Sequence, residues 1–253
     1  MAIRPWLMCC NKEGTMAQKK VNAVIHSQEK LAEGIYSMWL DAPEMAEAAV
    51  PGQFIAVYTN DPSKLLPRPI SICEADKENG RLRIVYRIAG AGTKEFSAYK
   101  EGDTLDIMGP LGNGFPLKKK KAFLIGGGIG IPPMLELAKN LDCEKTAVIG
   151  YRDKETFLAD ELRKYAGVVI ATEDGSVGTK GNVIDAIRAE KLTADIIYAC
   201  GPTPMLKALK TYAMENGIEC YISLEEKMAC GIGACLGCVC HSKDIDEHSN
   251  VRN

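Results

Sequence analysis

Cys230-Gly-Ile-Gly-Ala-Cys235-Leu-Gly-Cys238 sets three thiols at C-x4-C-x2-C spacing, with Cys240 two residues further on. That is the plant-type ligand run of a [2Fe–2S] cluster, where a tight loop aims several thiolates at two irons and glycines let the backbone turn close to the inorganic sulfides. A zinc site is the first rival, but it ordinarily draws on a second C-x2-C or histidine arm, and none follows. Free core cysteines are the second rival, though a glycine-rich loop is a poor place to bury them. A cluster of this kind moves single electrons.

A second group of chemistry-bearing residues is Gly126, Gly127, Gly128, Ile129 and Gly130, followed by Pro132 and Pro133. Glycines between an apolar run and a helix let backbone approach a pyrophosphate, and proline in a first helical turn sacrifices no hydrogen bond. The string departs from G-x-G-x-x-G, since Pro133 stands where the last glycine belongs. A plain tight turn is the alternative. Cys200-Gly201-Pro202-Thr-Pro-Met205 ends a later apolar run. If both runs are parallel strands, the two loops meet at the carboxyl ends where such sheets bind ligands. Cys200 also reads as a small buried hydrophobe.

Arg68-Pro69-Ile70-Ser71 offers a guanidinium for a phosphate and a hydroxyl for a ring nitrogen, or merely an exposed arginine before an edge strand. Val85-Tyr86-Arg87, then Gly90-Ala-Gly92-Thr93, adds a second phosphate cradle at a helix start.

The elements that must position these residues fall into two rhythms. Residues 21–27, 35–40, 53–58, 68–73, 81–88 and 104–108 are short β-branched runs separated by turn chemistry such as Asn79-Gly80. They predict a small antiparallel barrel, with a short helix over 93–99. From residue 122 the runs 122–126, 146–151, 168–172 and 195–200 are apolar without alternation, as in a parallel sheet buried on both faces. Helices are expected at 132–141, 156–165, 183–190 and 203–216, giving a doubly wound domain. A last strand over 220–224 leads to the cysteines. The expected division is a barrel domain at 16–118, a nucleotide-binding domain at 119–219 and a small iron–sulfur lobe at 220–253. Residues 1–15 carry no pattern and read as an extension before a natural start at Met16, so Cys9 and Cys10 receive no role.

The 253 residues, 46% hydrophobic and with formal net charge −2, suit ordinary cores. Without a basic stripe, nucleic acid is not expected as a partner. No apolar run is long enough for a helix to span a bilayer. Ten cysteines without a secretory signal point to a reducing cytoplasm.

Together, RPIS, the G-x-G-T turn, the segment from Gly109 to Phe115, GGGIG, CGP-x-P-M and CGIGACLGCVC resemble the ferredoxin–NADP reductase superfamily over about residues 17–253. Within it the chain is most similar to the electron-transfer subunits of class B dihydroorotate dehydrogenases. The resemblance implies FAD against Arg68, Pro69, Ile70, Ser71, Val85, Tyr86, Arg87, Gly92 and Thr93, with Ser71 near flavin N5. It implies NAD on Gly126, Gly127, Gly128, Gly130, Cys200, Gly201 and Pro202, with Cys200 near the nicotinamide. It further implies a [2Fe–2S] cluster on Cys230, Cys235 and Cys238, and an FMN-containing catalytic subunit as partner in a heterotetramer of two of each. In that family electrons from dihydroorotate pass singly through the cluster to FAD, and then to NAD+ as hydride. Glu225 and Glu226 read equally well as solvated charges. The family's fourth cluster cysteine has no counterpart, because Cys240 occupies a position the family fills in addition, so the chain reads as truncated. Arg152 suits a 2′-phosphate and Asp153 a ribose hydroxyl; NAD follows from the resemblance. Two other readings stay open: a subunit of a ferredoxin-dependent NAD(P) reductase or of a sulfite or sulfur reductase, and a nucleotide-binding flavoprotein fragment unable to pass electrons.

Overall fold

The computed structural model describes residues 4–6, 19–224, 228–230, 235 and 238. These form two compact units. Residues 4–6 group with 115–224, and 19–114 group with the described positions from 228 to 238.

The chain begins with a three-residue strand, β1 (Arg4–Trp6), which belongs to the sheet of the other unit. It then builds a closed barrel from β2 (Lys19–Ala32), β3 (Ile35–Asp41), β4 (Phe54–Val57), β5 (Arg68–Asp76), β6 (Arg81–Arg87) and β7 (Thr104–Leu111), in the order β2-β3-β6-β5-β4-β7. Neighbouring strands are antiparallel. Alternation sorts the side chains, as the two-residue period of a strand requires. Leu82, Ile84 and Tyr86 of β6, Ile55 and Val57 of β4, and Leu105 and Ile107 of β7 fill the interior. A helix not expected from the sequence, α1 (Pro43–Ala48), adds Met45 and Ala46 to that core. The anticipated helix near 93–99 forms as α2 (Ala91–Phe96), anchored by Phe96, which is fully buried.

The second unit is a seven-stranded parallel sheet, ordered β1-β13-β12-β8-β9-β10-β11. Its strands are β8 (Ala122–Gly127), β9 (Lys145–Tyr151), β10 (Gly167–Thr172), β11 (Thr179–Lys180), β12 (Ile196–Cys200) and β13 (Glu219–Ser223). Every residue of β8 and β12 is buried, which explains why those runs show no alternation. Helices α3 (Pro132–Asn140), α4 (Ala159–Leu162), α5 (Val183–Ala189) and α6 (Thr203–Asn216) connect them.

Three expectations are corrected here. The helix over 156–165 shrinks to four residues because Leu158 takes a left-handed φ of 64°, which no helix interior accommodates. The last strand, assigned above to an iron–sulfur lobe, is β13 and pairs with β12 in the parallel sheet. That unit therefore ends at Leu224, and the cysteine-bearing positions group with the barrel. Residues 4–6, expected to be patternless, extend the sheet beyond β13 with Arg4 opposite Tyr221.

Candidate functional site

In the barrel unit the two expected phosphate cradles come together. Gly92 opens α2 beside the start of β5, and a methyl group on it would lie 2.5 Å from Arg68 Nε. The guanidinium thus lies against bare backbone, with its Nη1 also donating to the Leu66 carbonyl. The first-turn N–H groups of α2 have no acceptor within their helix. Thr93 serves the turn itself: its hydroxyl accepts the N–H of Ala89 at 2.8 Å and of Gly90 at 3.2 Å.

The sequence pattern did not reveal what holds α2 in place. Glu95 accepts the Asn60 N–H at 2.7 Å, Lys64 Nζ at 2.6 Å and the Tyr99 hydroxyl at 2.7 Å. Burial alone would raise its carboxyl; the hydrogen bonds from Lys64, Tyr99 and Asn60 outweigh burial and hold it below the ordinary range. Glu95 and Tyr99 at i, i+4 were the legible half of this anchor. The link to Lys64, 31 residues away, left no local mark.

Register divides the remaining flavin candidates. On β5, Ser71 pairs with Phe54 and Pro69 with Ala56, whereas Ile70 pairs with Ile55. Ile70 is a barrel-core residue, and so is Tyr86, whose hydroxyl donates to Gln28 Oε1 at 2.8 Å. Pro69 and Ser71 of β5, with Val85 and Arg87 of β6, take the other face. Pro69 and Arg87 are exposed and Ser71 is half-buried.

In the parallel unit, β8 and β12 are neighbours with Gly126 opposite Cys200. The strand order reverses between them, and open α/β sheets take ligands at such a point. The two loops press together: a Cβ on Gly130 would stand 2.3 Å from the Cys200 carbonyl oxygen. Each loop feeds a helix whose N-cap supplies no side-chain acceptor, Ile131 for α3 and Pro202 for α6. By contrast Asn182 caps α5 with its side chain. Helix starts without a side-chain cap suit an anion, so the residues fit a pyrophosphate. The Cys200 side chain is buried. Asp153 follows β9 on the same edge of the sheet, its Oδ1 accepting the Glu155 N–H at 2.9 Å, and Arg152 is exposed.

Among the cysteines, the Cys235 N–H donates to Cys230 Sγ at 3.4 Å. An amide directed at a ligand sulfur fits an iron–sulfur centre, whose potential such hydrogen bonds tune. Cys238 is buried with Phe54, Ala56 and Leu111. Among the described residues no three His, Cys, Asp or Glu side chains are gathered as an ion-holding set. Cys9, Cys10, Glu225, Glu226 and Cys240 lie outside the described residues.

A closed antiparallel barrel, then a parallel sheet with two glycine turns at its switch point, defines the flavin- and nicotinamide-dependent reductase class. Comparison narrows this. The oxidoreductase FAD-binding domain family matches residues 22–115, and the iron–sulfur cluster binding domain of dihydroorotate dehydrogenase B matches 225–252. The electron transfer subunit of dihydroorotate dehydrogenase B (NAD(+)) from Geobacillus sp. (strain WCH70) is 44% identical, covering 89% of this chain and 90% of its own. That of Streptococcus mutans is 45% identical over 92% and 93%. A solved NADH-dependent reduced ferredoxin–NADP oxidoreductase, studied for flavin-based electron bifurcation, superimposes with a TM-score of 0.79 at 31% identity, covering 90% of this chain and 83% of its own. The chain belongs to the family of electron-transfer subunits of NAD-dependent dihydroorotate dehydrogenase B.

Proposed function

We infer that this chain takes electrons from a dihydroorotate-oxidising partner subunit and delivers them to NAD+, within pyrimidine synthesis. The observation that carries the reading is similarity to electron transfer subunits across about nine-tenths of both chains, with the cysteine run inside the matched iron–sulfur family segment at 225–252. Bound FAD would interconvert one-electron and hydride transfer, and a [2Fe–2S] centre would pass electrons singly.

The chain's own residues supply binding and orientation. Arg68 and the backbone at Gly92 and Thr93 hold the FAD pyrophosphate. Ser71 would offer its hydroxyl to the flavin ring, and Pro69, Val85 and Arg87 on the same face would help hold it, with Ile70 and Tyr86 supporting those strands from within. Gly126, Gly127, Gly128, Gly130, Gly201 and Pro202 would hold the nicotinamide dinucleotide by backbone, with Cys200 on the nicotinamide side and Asp153 accepting from a ribose hydroxyl. Cys230, Cys235 and Cys238 hold the cluster.

The partner is an FMN-containing catalytic subunit, two copies pairing with two of this chain. Free thiols such as Cys143 and Cys220 suit a cytoplasmic setting; no helix among the described residues is long and apolar enough to cross a membrane. Co-expression with a dihydroorotate dehydrogenase catalytic subunit tests the reading. A co-eluting complex of two plus two, carrying FAD, FMN and iron, is expected; separate elution would contradict it. The likeness to the ferredoxin–NADP oxidoreductase favours a second reading, reduction of NAD(P) by ferredoxin. Ferredoxin-driven turnover without the catalytic subunit would select that one.

A further inference from the structure

Cys238 packs in an apolar cluster on the outside of the barrel wall that carries the flavin candidates. Along β4, Ile55 and Val57 point into the core, so Phe54 and Ala56 point outward. Phe54 is nevertheless only 1% exposed, because it packs in a separate apolar cluster with Ala56, Leu111 and Cys238, joined by Tyr58, Met108 and Met228. Phe54 is also the residue directly opposite Ser71, and opposed residues of antiparallel strands share a face. One aromatic ring therefore belongs to the cluster that seats a candidate ligand sulfur and pairs with the candidate flavin-contacting hydroxyl.

We propose that Phe54 is a positioning residue for electron transfer: its ring seats Cys238 against β4 and sets the spacing between the iron–sulfur centre and the flavin at Ser71. The proposal rests on the reading of Cys238 and Ser71 given above. The step it governs breaks no bond. One electron leaves the reduced centre and one enters the oxidised flavin, and two such events with one proton from solvent complete the reduced flavin. Phe54 exchanges neither electron nor proton. It holds the distance, and small misplacements at a reacting centre are expensive.

The test uses the holoprotein with Phe54→Leu, which keeps an apolar side chain but shortens it, and Ile55→Val as a control facing the core. FAD and iron are counted, flavin reduction by NADH and the following flavin-to-cluster transfer are resolved by stopped flow, and iron release to a chelator is timed. Phe54→Leu should retain both cofactors and reduce its flavin at the unaltered rate. Its flavin-to-cluster transfer should slow by roughly tenfold or more, with faster iron release. Ile55→Val should leave transfer unchanged even where it lowers the melting temperature. If Phe54→Leu sheds iron while keeping FAD, that loss supports the seat, and Phe54→Met carries the rate measurement. Unchanged transfer in a loaded Phe54 variant overturns the proposal, even with faster iron release, since that pattern is packing alone. A wild-type chain that binds flavin without ever showing an iron–sulfur spectrum overturns the underlying reading and the proposal together.

Discussion

The guanidinium of Arg68 lies against the Cα of Gly92, so close that a methyl group there would come within 2.5 Å of Nε and 2.8 Å of Cζ. The atoms in the way belong to the far end of a flexible side chain. Gly92→Ala should therefore displace the guanidinium and not unfold the barrel. We expect Gly92→Ala and Arg68→Ala to weaken FAD binding by about tenfold or more, the worth of one charge-assisted hydrogen bond. Arg81→Ala should have little effect, since Arg81 is occupied with Asp41 at 3.1 Å. Flavin retention on gel filtration, followed by chromatography of the released flavin, measures this. Equal retention in Gly92→Ala and wild type would contradict it.

Gly130 offers the opposite case. A Cβ there meets backbone, 2.3 Å from the Cys200 oxygen and 2.6 Å from the Gly201 Cα. Nothing can swing aside, so the two loops at the switch point must separate. Gly130→Ala should cost about 1–3 kcal/mol of stability in the parallel unit, the usual range for overpacking, and should abolish NADH-driven flavin reduction while FAD stays bound. Calorimetry and anaerobic stopped flow report the two parts. Normal reduction by NADH would refute the placement of the dinucleotide.

Glu219 ties the start of β13 to the linker at Lys118–Lys120. Hydrogen bonds from Lys118 and then Tyr221 hold its carboxyl at about 2, below its ordinary 4.5. A depressed carboxylate contributes stability above the unfolded-state value and loses it as pH falls toward the folded value. The melting-temperature gap between wild type and Glu219→Gln should accordingly be full above pH 4.5 and close as pH approaches about 2. A gap independent of pH would remove the carboxylate from the explanation.

The proposed role of Asp153 predicts a preference between nicotinamide cofactors. An acidic group after the second strand of such a sheet favours a free 2′-hydroxyl and repels a 2′-phosphate. NADH should bleach the flavin faster than NADPH, and Asp153→Asn should narrow the difference. Equal rates in the wild type would contradict the assignment.

What was legible in the sequence was local. The β-branched runs between turn residues, such as 81–88, and the continuous apolar runs 122–126 and 195–200 mark the two kinds of strand. The glycines of 126–130 mark where backbone must come close to something. What was not legible depends on distant partners. Residues 4–6 form a strand only because β13 offers an open edge. Glu95 gains its role from Lys64 in the β4–β5 loop. Cys238, read only as a ligand, also fills an apolar seat built by Phe54 and Leu111, a contact no spacing encodes. Leu158 hides its left-handed turn because leucine seldom adopts one.

The most direct test of the account is anaerobic NADH formation from dihydroorotate and NAD+ by this chain combined with a dihydroorotate dehydrogenase catalytic subunit. Robust NADH production by the mixture is predicted, absent from either component alone and lost with Cys238→Ser. Production by the catalytic subunit without this chain, or undiminished production with Cys238→Ser, would contradict an electron path through the cysteine segment.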